Sequence, residues 1–118
     1  MLFLNSLEIY IEQYLIDPSR YDIKAPYEMV PKYITVHNTA DDLSVYNEIA
    51  NMELNNREVS WHLGVDDKHV VQAIPFTRNS WHAGDGGNGK GNRESISIEI
   101  CYSKSGGPRF YKAEENAV

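Results

Sequence analysis

Two short runs of strand-forming residues place the strongest limits on how this chain can fold. The first, residues 33–36, is aromatic and β-branched and predicts a buried strand that ends at His37 and Asn38. The second, residues 95–101, alternates isoleucine with small or acidic residues, which predicts a strand with two chemically different faces. A fold that contains both strands has to be built around a β-sheet.

His37 lies at the point where the first predicted strand surfaces. An imidazole there has a fixed backbone beneath it and open space in front, so it is suited to bind a metal ion or to move a proton. The alternative is a histidine whose ring is satisfied by a backbone carbonyl at the strand end. Spacing alone favours that second interpretation.

The second strand carries one strong candidate for acid–base chemistry. Ile96, Ile98 and Ile100 are predicted on one face, and Glu99 on the other among small residues. Such a composition is unusual for an exposed strand and suggests the floor of a cleft, with Glu99 as its catalytic group. The alternative is an ordinary solvated outer face.

Further elements follow from periodicity. Apolar residues at helical spacing predict an amphipathic helix within residues 1–16, ended by Pro18, and a second helix over residues 43–56. Residues 61–65 and 70–74 are predicted to be two strands joined by a hairpin turn.

A glycine-rich loop, residues 76–92, precedes the second strand. Residues 84–89 formally satisfy the dinucleotide-binding pattern G-x-G-x-x-G, but that motif needs a helix directly afterwards, and a strand is predicted here. Trp81 and His82 could hold a sugar or peptide, and Arg93 could bind a carboxylate. Alternatively, Trp81 anchors the loop to the core and Arg93 is simply solvated.

Composition excludes several classes of protein. A net charge of −6 with scattered basic residues argues against nucleic acid as a partner. The N-terminal segment has no basic region and contains Glu8 and Glu12, so neither a signal peptide nor a membrane span is predicted. Cys101 is the single cysteine, which excludes an intrachain disulfide. The 118 residues predict one domain, without a linker or a wall-binding domain.

Four ordered blocks of the chain resemble one family. These are residues 33–40, 59–68, 81–86 and 91–101. They resemble the zinc-dependent N-acetylmuramoyl-L-alanine amidases of the phage-endolysin and peptidoglycan-recognition-protein superfamily, in particular endolysins of phages and prophages that infect Bacillus. Because the blocks extend over most of the chain in the same order, the likeness covers the whole predicted sheet.

The resemblance implies a fold, a cofactor and a set of site residues. The fold is α/β, a mixed central β-sheet flanked by helices, with a cleft along one face of the sheet. His37 matches a ligand of Zn²⁺, and Glu99 matches the acidic catalytic residue. The positions that match the substrate groove are Asn38, Thr39, Trp81, His82, Asn92 and Arg93. The implied substrate is bacterial peptidoglycan, and the implied protein is a monomer that stays in the host cytoplasm until release and then acts on the cell wall.

The sequence also departs from the family pattern. Trp61 replaces a tyrosine and Ser97 replaces a glycine, and relatives continue beyond the equivalent of Val118 to supply further zinc ligands. We therefore expect a C-terminally truncated domain with one of the three protein ligands that a catalytic zinc site needs. A complete site built from His37, from His62 or His82, and from Cys101 is a remote alternative.

Two other functional states follow from that expectation. One is a non-catalytic module that binds peptidoglycan through an intact groove. The other is a poorly folded remnant whose apolar docking surface is exposed.

Overall fold

A computed structural model describes residues 10–118, and its elements are short strands linked by helices and long loops. The strands are β1 (Ile11–Gln13), β2 (Tyr33–Asn38), β3 (Leu63–Val65), β4 (Val70–Gln72) and β5 (Ser95–Ile100). The helices are α1 (Tyr21–Lys24), α2 (Val45–Leu54), α3 (Lys90–Glu94) and α4 (Gly107–Ala117), and a single 3-10 turn, Pro18–Arg20, leads into α1.

The five strands form one mixed sheet in the order β1-β4-β3-β5-β2. Among these described strands, the β3–β4 hairpin is antiparallel, whereas β1 pairs with β4, β3 with β5, and β5 with β2 in parallel. Parallel strands need long crossover connections, and α2 lies in the connection from β2 to β3, which are parallel and separated in the sheet by β5. The mixed α/β fold, the strands over residues 33–36 and 95–101 and the β3–β4 hairpin are confirmed. The predicted burial of residues 33–36 is wrong, because β2 lies at the edge of the described sheet, where the side chains of Tyr33, Ile34 and Val36 are at least half exposed.

Helix α2 is fixed at its first turn by two side chains. The Ser44 hydroxyl accepts the backbone N–H of Asn47 at 3.4 Å, which is an ordinary N-cap. Asp66, in the β3–β4 turn, accepts the backbone N–H of Val45 at 3.1 Å and those of Lys68 and His69 at 2.8 and 2.7 Å. One buried carboxylate therefore holds the hairpin turn against the start of the helix.

The two faces of the sheet are covered differently. Val71 on β4 packs with Val45, Ile49 and Met52 of α2, and Trp61 completes this core. On the opposite face a smaller cluster forms around Leu63, Val65 and Val70, and Ile96, Ile98 and Ala117 pack against it. The face that carries α2 is the face of Ser95, Ser97 and Glu99, so the helix forms one wall above Glu99.

The prediction of an N-terminal helix is wrong for the part of that segment that the structure describes. Residues 1–9 lie outside the described part of the chain, and residues 11–13, which the helix was predicted to include, form β1. The next backbone N–H groups continue the pairing, because Tyr14 and Ile16 donate to the carbonyls of Gln72 and Ala73 at 2.9 Å. Backbone pairing with β4, which is distant in sequence, outweighs the local helical spacing.

The expectation that a strand directly follows the glycine loop also needs correction. The one-turn helix α3 comes first. However, the Asp85 carboxylate already accepts the backbone N–H groups of Gly91 and Asn92 at 2.7 and 3.1 Å. These are N–H groups that a phosphate would need, so the loop remains a poor nucleotide site.

No helix in residues 10–118 is long and apolar enough to cross a bilayer.

Gly64 tests the packing of α2 on the sheet. A Cβ at this position would lie 2.6 Å from Val45 Cγ2 and 2.8 Å from the Trp61 ring, in a densely packed core. We expect Gly64→Ala to lower the free energy of unfolding by about 1–3 kcal/mol, measured by urea denaturation.

Gly87→Ala is the matched control. A Cβ at Gly87 would meet nothing closer than 3.9 Å, so this variant should unfold within about 0.5 kcal/mol of the native chain. Equal losses of stability in the two variants would contradict the packing described here.

Candidate active site

The site is built on the parallel pair β2–β5. In its register His37 lies opposite Glu99, and Gly64 on β3 lies opposite Glu99 from the other side. Residues paired in this way point to the same face of a sheet. The imidazole of His37 and the carboxylate of Glu99 therefore project side by side from neighbouring strands. Gly64, next to Glu99, adds no side chain to this face.

Two cavities meet at Glu99. The first, which we call the inner cavity, has a volume of about 250 Å³ and lies between α2 and the end of β2, where Asn38 and Thr39 line it. The second, the loop cavity, has a volume of about 460 Å³ and is bordered by Trp81, His82 and the glycine loop. Val59 and Glu99 line both cavities, so together they form one cleft across the sheet with Glu99 in the middle.

Burial alters the acidity of Glu99. Desolvation is the main cause and the negative charge of Asp41 the second, and together they raise the pKa of the Glu99 carboxyl to about 7. A group with this pKa is present in both protonation states near neutral pH. It can take a proton in one step of a reaction and return it in the next.

Sequence analysis missed two further carboxyl groups in the inner cavity, Asp41 and Glu48. Glu48 is only 9% exposed, and its Oε1 has no hydrogen-bond partner among the described residues. Burial, followed by the hydrogen bond and charge of Asp41, raises the pKa of Glu48 to about 9. The available signal was its position on α2, since Glu48 falls within the apolar stripe of Val45, Ile49 and Met52.

His37 is paired with His82. Nε2 of His37 lies 3.0 Å from Nδ1 of His82, and the two rings meet edge to face with centroids 5.2 Å apart. Nε2 of His82 lies 2.8 Å from the carbonyl oxygen of Gly91, so both ring nitrogens of His82 have partners within the protein. Burial is the main cause that lowers the pKa of His82, which favours its neutral form.

Of the other predicted groove residues, three line the cleft, and two have polar groups that bind the backbone of the glycine loop. Asn38, Thr39 and Trp81 line the cleft, although Trp81 is also anchored by a 2.9 Å hydrogen bond from its indole N–H to the Ile23 carbonyl. Asn92 borders the loop cavity but is only 3% exposed, and its Oδ1 accepts the backbone N–H groups of residues 82 and 83. Arg93 stacks on Tyr27 and donates to the Gly87 carbonyl.

The remaining histidines and the cysteine lie elsewhere. His62 is fully buried, donates from Nε2 to the Arg78 carbonyl at 2.7 Å and accepts the backbone N–H of Ser97 at Nδ1. His69 is half-buried beside Asp66, and Cys101 is fully buried in the core, where burial raises the pKa of its thiol. Across residues 10–118, no three His, Cys, Asp or Glu side chains converge as a metal site would require.

Comparison with known proteins gives the family. Residues 27–118 match the family described as N-acetylmuramoyl-L-alanine amidase. The chain is a member of this amidase family. An amidase of Bacillus subtilis strain 168, CwlA, is 52% identical over 112 residues, which cover 95% of this chain and 41% of CwlA. A CwlA amidase from Bacillus sp. is 56% identical over 108 residues, which cover 92% of this chain and 43% of that protein.

Solved structures of similar proteins support the fold. The structure of PlyL superposes with a TM-score of 0.89 at 60% identity, covering 92% of this chain and 68% of that one. The catalytic domain of XlyA gives a TM-score of 0.80 at 42% identity, with coverages of 92% and 71%. The chain thus spans about two fifths of the length of the curated amidases it matches and about two thirds of the PlyL chain in its solved structure.

Substitution of Glu48 tests whether its carboxyl group is buried beside Asp41 and Glu99 in the inner cavity. Its pKa is raised from 4.5 to about 9 in the folded chain, so the folded state holds a proton that the unfolded state releases. Stability should therefore fall as pH rises from about 4.5 towards 9. We expect Glu48→Gln, which cannot ionise, to be more stable than the native chain at pH 8 by about 1 kcal/mol or more, or about 4 °C in melting temperature.

The gain should shrink towards zero at pH 4.5. Glu114→Gln, on the exposed surface of α4, is the matched control and should follow the native curve at every pH. If the melting temperatures of Glu48→Gln and the native chain differ by the same amount at every pH from 4.5 to 9, the Glu48 carboxyl group is not buried as described.

Proposed function

We propose that this chain is the catalytic part of an amidase that hydrolyses the amide bond between N-acetylmuramic acid and L-alanine in bacterial peptidoglycan. Family membership supports the reaction class. The observation that carries the proposal is a carboxyl group with a pKa of about 7 at the centre of a cleft, on the strand next to His37. A peptide bonded to a sugar is an extended ligand, which suits a cleft made of two joined cavities.

Glu99 is the proposed acid–base residue. Its carboxylate takes a proton from a water molecule as the water oxygen attacks the amide carbonyl carbon. The protonated carboxyl then gives that proton to the departing nitrogen of L-alanine as the carbon–nitrogen bond breaks. The products are a carboxylic acid on the lactyl group and a free amine, and Glu99 returns to its starting state.

Substrate binding is assigned to residues on both sides of Glu99. Asn38 and Thr39 line the inner cavity and offer an amide and a hydroxyl group, whereas Trp81 offers an aromatic ring in the loop cavity. We assign Asn92 and Arg93 an indirect part, because their polar groups hold the glycine loop in shape.

Zinc enters the proposal only through His37. The family is generally zinc-dependent, and a bound zinc ion would supply Lewis-acid polarisation of the carbonyl. The imidazole of His37, on the strand next to Glu99, can supply one ligand of such a site. The described residues do not fit a complete site, since no three ligating side chains converge, and further ligands would have to come from outside residues 10–118.

That incomplete ligand set favours a second candidate function. A chain that has the cleft but lacks a three-ligand centre could bind peptidoglycan without cleaving it. The two functions predict different products from the same incubation, so one experiment separates them.

The test incubates the purified chain with Bacillus cell walls, with added zinc and with a chelator. The amidase proposal predicts release of new amino groups from L-alanine without new reducing sugar. Glu99→Gln should lower the rate by about 100-fold or more, and the exposed Glu114→Gln control should not.

Co-sedimentation with walls but no amine release, with zinc present, would replace the amidase by the binding module. Absence of both binding and release would contradict both functions. Circular dichroism spectra of the native chain and the two variants should coincide, so that a lost rate is not a lost fold.

A further inference from the structure

His82 was expected to contact substrate, but its surroundings indicate a different task. A substrate-binding imidazole needs a free nitrogen, and both nitrogens of His82 are within 3.0 Å of a partner in the chain. One partner is the carbonyl oxygen of Gly91, and the other is Nε2 of His37. The ring therefore forms a bridge between a loop carbonyl and the proposed metal-binding histidine.

The direction of each hydrogen bond follows from the partners. A carbonyl oxygen can only accept, so Nε2 of His82 carries a proton and donates it to Gly91 at 2.8 Å. In a neutral ring the other nitrogen, Nδ1, then has a lone pair and can only accept. Nε2 of His37, 3.0 Å away, must therefore carry the proton of the second hydrogen bond. A neutral His37 is left with its lone pair on Nδ1.

The loop that presents His82 is held by its own side chains. Asn92 Oδ1 accepts the backbone N–H of His82 at 2.9 Å and that of Ala83 at 2.8 Å. Asp85 accepts the backbone N–H of Gly91 at 2.7 Å. A Cβ at residue 91 would lie 2.4 Å from the Ala83 Cβ, so the Gly91 carbonyl reaches its position because this residue has no side chain.

We propose that His82 is a positioning residue, which fixes the proton of His37 on Nε2 and so keeps Nδ1 as the electron-pair donor. This rests on the proposed function in one respect, namely that His37 is the residue whose lone pair is used. A histidine that ligates a metal commonly donates its other ring N–H to a fixed acceptor, which sets its tautomer and orientation. The acceptor here is an imidazole nitrogen, which is itself oriented by a backbone carbonyl.

The shape of the glycine loop supports the contact between the two histidines. Gly91, Asn92 and Asp85 together place one carbonyl oxygen and one imidazole ring next to the end of β2. The loop therefore acts on the site through His37, in addition to bordering the cleft.

The test is NMR spectroscopy of the native chain, ¹⁵N-labelled at histidine, at pH 8 without metal or substrate. A scalar coupling across the hydrogen bond should connect Nε2 of His37 with Nδ1 of His82, with the proton covalently bound to His37. A proton found on Nδ1 of His82, or no coupling between the two rings, would overturn the proposal. Neither result depends on wall hydrolysis. The positioning role of His82 can therefore fail while the amidase function stands, and the amidase function can fail while the positioning role stands.

Two variants extend the test. In His82→Leu the acceptor is lost, and we expect the Nε2–H proton of His37 to exchange with water about tenfold faster. His82→Asn keeps an acceptor oxygen at the δ position and should restore slow exchange. His69→Leu, which removes a histidine from the β3–β4 turn, is the control and should leave the signals of His37 unchanged. Equal exchange rates in the native chain and in His82→Leu would contradict a positioning role, provided that both chains are folded.

Discussion

The parallel pairing of β2 with β5 sets both the edge of the sheet and the position of the candidate site. Its register sets His37 opposite Glu99, and the two residues lie 62 positions apart in the chain. The crossover between these strands contains α2, which packs on the same face and becomes a wall of the cleft. A slip of one residue in this pairing would turn His37 to the opposite face, so the fold and the site share one requirement.

The same packing has an electrostatic cost. α2 buries Val45, Ile49 and Met52 against the sheet, and this brings Glu48 out of water together with them. A carboxylic acid in such a place is most stable with its proton bound, and here its neighbours are Asp41 and Glu99. The apolar contacts of α2 offset that cost, and the low polarity they create also adjusts Glu99 to neutral pH.

Local patterns predicted those parts of the molecule whose partners are close in sequence or whose periodicity is strong. The alternation in residues 95–101 predicted β5 and a cleft with Glu99 on its floor, and the β3–β4 hairpin followed from its turn residues. The N-terminal helix failed because Ile11 pairs with Val70, a long-range contact that local spacing cannot reveal. The bridge between His37 and His82 was hidden for the same reason, since it depends on how the loop folds back.

The cleft takes the Glu99 carboxyl group partly out of water and adjusts its acidity beside His37. The most direct measurement is the pH titration of the Glu99 carboxyl carbon by ¹³C NMR in the metal-free chain. A midpoint near 7 is predicted, as expected for a carboxyl group desolvated in the cleft and close to the charge of Asp41. A midpoint at the ordinary value of 4.5 would show a solvated group and would contradict the account.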